Sequence, residues 1–135
     1  MATTIGFDMV QKYLTGLAKL NGALAGSPHK AFWMVPYEQF ISSNVPHVKY
    51  RGSPVPIIWK DAPVLSPLFM ILVEPSGWGG INQMPEGGPF ISDNDAGNSL
   101  VIPLDDGTTV TGRKVREDLE TWFRNGFPKD PKPIP

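Results

Sequence analysis

Prolines and glycines punctuate this chain so often that no long regular element can form over most of its length. There are 15 prolines and 14 glycines among 135 residues. Each proline lacks a backbone donor and disfavours helix in the residue before it, and each glycine weakens an element interior. Between these breaks the apolar residues, 41% of the chain with 10% aromatic, still suffice for one core. A chain this long buries roughly two-thirds of its unfolded surface as one domain. The reading is therefore a folded, loop-rich protein over 1–128, followed by an extended, mobile Pro/Lys-rich tail over 129–135.

The chain contains no cysteine, which excludes disulfides, thiolate catalysis, iron-sulfur clusters, cysteine zinc sites and thioether-bound haem. Twelve Lys and Arg against thirteen Asp and Glu leave a net charge of −1. No overall field then draws the chain to nucleic acid or anionic lipid. No run of about 18 apolar residues offers a membrane span. The amino terminus lacks the basic start and apolar run of a leader, which suggests a cytoplasmic location.

Apolar residues Phe7, Val10, Leu14 and Leu17 recur at helical spacing, predicting a first helix with Thr3 or Thr4 as cap and Gly22, Gly26 or Pro28 as stop. An aromatic cluster of Phe32, Trp33, Tyr37 and Phe40 follows, with Pro36 starting a short helix over 37–42. Pro46, Pro54 and Pro56 bar a long helix, so Val55, Ile57, Ile58 and Trp59 read as an edge strand or extended segment. Ser66-Pro67 starts a helix that ends near Val73. A Gly/Pro-rich loop runs from Glu74 to Pro89. The Asp106-Gly107 step between Leu100–Leu104 and Thr108–Thr111 predicts a hairpin. A last helix spans Gly112 to Arg124, capped by Thr111 and closed by Asn125-Gly126.

Met84, Pro85, Gly87, Gly88 and Pro89, followed by Leu119, Trp122, Phe123, Gly126 and Pro128, form a pattern that resembles class I cytochrome c-like domains. The helix over 66–73 and His29 after the first helix also suit that plan. The resemblance implies a mainly α fold: a small helical domain with long Gly/Pro-rich loops and one inserted β-hairpin. Ala25 through His29 keeps only the histidine of the Cys-x-x-Cys-His attachment motif. Residues 91–110 are an insertion, and Arg116 stands where the family has an aliphatic residue. The implied scaffold is thus haem-less. The alternative is an electron carrier holding haem non-covalently between His29 and Met84.

The residues themselves offer no convergent acid-base set. His47 lies among Lys49, Tyr50 and Arg51, a basic patch suited either to a carboxylate or phosphate or to plain solvation. Asp93 to Gly97 reads as an Asx-rich turn, because its glycine falls too early for a calcium loop. Trp78, flanked by glycines, is the candidate contact anchor; Met84, His29, Trp33 and Tyr37 complete the candidate binding set. The expectation is a non-enzymatic binding or assembly module without cofactor, taking a protein partner, a second copy through the hairpin edge, or a small apolar ligand. A small enzyme with His29 or His47 as general base in an aromatic pocket is the remaining alternative.

Overall fold

The computed structural model describes residues 3–21, 32–79, 83–84 and 89–134, with only the backbone of 21 and 46–48. Helix α1 (Phe7–Asn21) is followed by α2 (Tyr37–Ser42), strands β1 (Asn44–Tyr50) and β2 (Ser53–Pro56), a 3-10 turn (Pro63–Leu65) and α3 (Pro67–Val73). Helix α4 (Asp95–Ser99), strands β3 (Val101–Pro103) and β4 (Thr109–Thr111) and helix α5 (Gly112–Arg124) complete the order.

The mainly α, cytochrome c-like architecture expected from the sequence does not form. Among the described residues, helix accounts for 43% and strand for 15%, in five helices and two small sheets, so the class is mixed α and β. The reading allowed an edge strand or extended segment over Val55 to Trp59 but gave it no partner strand across Pro46. Pro46, Pro54 and Pro56 bar a helix, yet a two-stranded ribbon has open edges where a missing donor costs nothing. Strands β1 and β2 pair antiparallel, Tyr50 opposite Ser53 and Asn44 opposite Pro56, with an irregularity between. Arg51 and Gly52 join them with φ of 52° and 82°, the two left-handed positions of a tight hairpin turn. Asparagine or aspartate is usual at the first of these, so Arg51 concealed the turn.

Other elements follow their local signals. Helix α3 begins at Pro67 and α5 at Gly112, where the Thr111 hydroxyl accepts from the Lys114 N–H. Asn94 caps α4 by accepting from Gly97 N at 2.8 Å, so the Asx bond expected there opens a short helix. Thr4 does not cap α1. Its hydroxyl accepts from Lys132 N at 3.0 Å, while its N–H donates to Lys132 O at 2.8 Å. Phe7 N bonds Lys129 O, and Thr3 bridges Pro133. Through these bonds the segment after Pro128 runs alongside the start of the chain.

The core gathers Val10, Leu14 and Leu17 of α1, Leu68, Phe69 and Leu72 of α3, and Val115, Leu119, Trp122 and Phe123 of α5. Phe40, Val55, Ile57, Ile91 and Ile102 close it. The β3–β4 hairpin packs on α1, where a Cβ on Gly16 would lie 2.8 Å from Pro103 O. Arg116 serves structure here: its guanidinium donates to Ser92 O at 3.0 Å and Asn98 Oδ1 at 2.6 Å, tying the 91–98 segment to α5.

Tyr13 links α1 to α5 by donating to Asp118 Oδ2 at 2.5 Å, and Lys114 holds the same carboxylate. Burial, then the Asp118 hydrogen bond and charge, push the Tyr13 hydroxyl well above its usual range. A phenol whose folded pKa exceeds the unfolded one stabilises fully below about pH 10, and that contribution fades as pH rises towards the folded value. Tyr13→Phe should therefore lose about 1 kcal/mol at neutral pH. Its melting temperature should also fall less steeply than the wild type's above about pH 10. Parallel slopes in thermal melts across that range would contradict the Tyr13–Asp118 link.

Candidate functional site

The aromatic residues divide by what happens to their polar atoms. Trp33 is buried and its indole N–H donates to Thr15 Oγ1 at 2.8 Å; the Trp122 indole donates to Pro128 O at 2.7 Å. Tyr13 is bonded to Asp118, and Tyr37 donates to Phe127 O at 2.7 Å. Tyr50, Trp59 and Trp78 differ: among the described residues no partner bonds their hydroxyl or indole N–H. These three side chains, with Pro56 and Pro67, line one open groove of about 260 Å³.

Each wall is placed by a separate local device. Tyr50 ends β1 beside the tight turn, which leaves it 38% exposed. Trp59 follows the buried pair Ile57 and Ile58, and its backbone N–H donates to the fully buried Ser66 Oγ at 2.9 Å. That bond directs Ser66 away from capping α3 and leaves the Trp59 ring 45% exposed. Trp78 sits between Gly77 and Gly79, whose φ values of 73° and 57° suit glycine. A Cβ at Gly79 would stand 2.8 Å from the Tyr50 ring, so the glycine lets the Trp78 loop lie against β1. Trp78 meets Tyr50 edge to face, centroids 5.3 Å apart at 61°. The Arg51 guanidinium stands 5.3 Å from the other partner in this stack, the Tyr50 ring centroid.

The residues singled out in the sequence therefore scatter. Trp78 lines the groove, as its place among glycines suggested. Trp33 and Tyr37 belong to the packing around α1 and do not line it: Trp33 stacks on Phe32 and Tyr37 on Phe7, with centroids 5.1 and 5.6 Å apart. Met84 is half-buried against the core, its N–H donating to Ile71 O at 3.0 Å. His29, with Pro85, Gly87 and Gly88 of the Met loop, lies outside the described residues. Trp33 and Tyr37 instead make their hydrogen bonds within the packing around α1, in an architecture of mixed α and β class. Among the described residues, no three His, Asp or Glu side chains come together as a metal site.

Sequence reasoning missed Tyr50, Trp59, Pro56 and Pro67. Reading 55–59 as an extended segment does not say which face Trp59 takes. The usable signal is Trp59 closing the apolar stretch Pro54–Trp59 before Lys60 and Asp61.

Among the described residues, the groove walls contain no carboxylate, imidazole or aliphatic hydroxyl. Its volume falls below the roughly 300–1,000 Å³ usual for small-molecule pockets, and its length of exposed rings suits one or two side chains of a larger partner. No protein-family model, curated protein or solved structure matches this chain. Among the described residues no helix is long and apolar enough to cross a membrane.

Proposed function

We propose that the chain is a non-enzymatic binding module whose contact face is the groove of Tyr50, Trp59 and Trp78. One observation carries this reading. Two of the four tryptophans and one of the three tyrosines keep unbonded polar atoms among the described residues, and all three line the same groove. Aromatic rings with a free polar tip are the side chains that dominate binding energy at protein interfaces. Among the described residues the groove supplies apolar area and donors, with the Tyr50 hydroxyl as its one titratable group. The partner is accordingly a protein segment inserting a few side chains.

Selection of a random peptide library on the immobilised chain tests the reading. Selected peptides should lose about thirtyfold in affinity on Trp59→Ala or Trp78→Ala, corresponding to about 2 kcal/mol at a central contact. Melting temperatures of these variants should stay near that of the wild type, because Trp59 is exposed and Trp78 half-buried. Peptides that bind the variants and the wild type equally would refute the contact face.

A further inference from the structure

We infer that the segment received by this groove is an extended, proline-containing peptide carrying acidic residues beside its prolines. The inference rests on the contact face proposed above and names its occupant. It follows from which hydrogen-bonding groups the groove offers. An indole N–H only donates, and in Trp59 and Trp78 no described residue accepts from it. The Tyr50 hydroxyl can donate or accept, and the remaining described wall is aromatic or proline ring. With one hydroxyl as its side-chain acceptor among the described residues, the groove penalises a ligand bringing several backbone N–H groups, since most would lose their water without replacement.

Proline removes that penalty, because it has a carbonyl and no N–H. In the extended polyproline conformation its carbonyls point outward for donors, and its rings present flat apolar faces to Tyr50, Trp59 and Trp78. Little conformational freedom is lost when such a segment docks.

Charge sets the second half of the inference. Lys49, Arg51 and Lys60, all exposed, neighbour the wall residues Tyr50 and Trp59 in sequence. Arg51 is placed by geometry as well, its guanidinium standing over the Tyr50 ring. Among the described residues none of the three is within ion-pair distance of a carboxylate, whereas Lys19, Arg113, Lys114, Arg116 and Arg124 each are. Asp61 and Glu74 are the carboxylates nearest to these walls along the chain, and they leave the cations in excess. An incoming carboxylate next to the proline core would pair with Arg51, the residue held at φ 52° at the groove rim.

Short labelled synthetic peptides test this against the full chain by fluorescence anisotropy. One has a Pro-Pro-Leu-Pro core flanked by glutamates, one the same core flanked by lysines, and one an alanine core flanked by glutamates. The glutamate-flanked proline peptide should bind about tenfold more tightly than the lysine-flanked one at about 50 mM salt, and the gap should narrow at about 500 mM. The alanine core should lose about tenfold. Trp59→Phe, which keeps a ring but no donor, should weaken the proline peptide about threefold or more. Arg51→Glu should remove or invert the charge preference.

Equal or tighter binding of the lysine-flanked or alanine peptide would overturn the inference. So would an unchanged charge preference in Arg51→Glu, or no binding of the glutamate-flanked proline peptide below about 1 mM. If library-selected peptides still lose affinity in Trp59→Ala, the contact face survives and only its occupant is wrong. If those variants bind every peptide as the wild type does, both readings fall.

Discussion

Trp122→Ala should lower the unfolding free energy by about 3–5 kcal/mol in a urea titration, the usual range for emptying a fully buried tryptophan site. Trp122 is 0% exposed and packs edge to face on Phe123 and Phe127, with centroids 5.1 and 6.3 Å apart. Its indole N–H holds Pro128 O at 2.7 Å. That bond turns the chain from α5 towards Lys129 and Lys132, which close against Phe7 and Thr4. Truncation therefore opens a cavity and releases the join between the two ends of the described chain. A domain of this size has about 5–15 kcal/mol in total, so the variant should be partly unfolded near physiological temperature. Trp122→Phe should lose clearly less, because it keeps a ring in the cavity and gives up mainly the hydrogen bond. A loss below about 1 kcal/mol for Trp122→Ala would mean that α5 does not seat on the core as described.

Gly112→Ala should destabilise by about 1–3 kcal/mol, against the gain of about 0.5–1 kcal/mol that the same change normally brings in a helix. Gly112 opens α5 and is buried against α4. A Cβ there would collide with Gly97 O and approach Gly97 C to 3.2 Å and Leu100 Cβ to 3.3 Å. Two of these atoms are backbone, so relief requires moving α4 itself. Gly97→Ala should be similarly costly, since its Cβ would collide with Ser92 O and stand 2.9 Å from Ser92 N. The two changes act on one contact, so the double variant should lose less than the sum. A melting temperature for Gly112→Ala at or above the wild type's would show that α4 and α5 do not touch through these glycines.

The failures and successes of sequence reading here have a common cause. Thr111 capping α5, Pro67 starting α3 and the Asp106-Gly107 turn are decisions made within a few residues, and each appears where its signal lies. Ser66 and Thr4 carry capping chemistry but bond Trp59 and Lys132 instead. A hydroxyl takes the partner that tertiary structure brings: for Thr4 it lies 128 residues along the chain, and for Ser66 it is 7 residues back across a turn, and neither leaves a trace in helix-capping spacing. An edge strand near Val55 is legible from the sequence, but its pairing with β1 is hidden by arginine in a turn position that asparagine usually holds.

The candidate groove shows the same division. Trp78 stands out in the sequence because glycines flank it in a loop, although it packs partly on the core. Tyr50 and Trp59 do not, because a tyrosine among basic residues reads as plain solvation and a tryptophan closing an apolar run suits a core as well as a surface.

By itself, then, the sequence determined a cysteine-free, near-neutral chain, its α1, α2, α3 and α5 segments and the 101–111 hairpin, because periodicity and turn chemistry act locally. Only the tertiary structure decided the mixed α and β class, the role of Arg116 as a clamp, and which rings meet at one groove. Those outcomes depend on which distant surfaces come together, and the burial of Ile57, Ile58 and Ser66 is what pushes Trp59 out to join Tyr50 and Trp78.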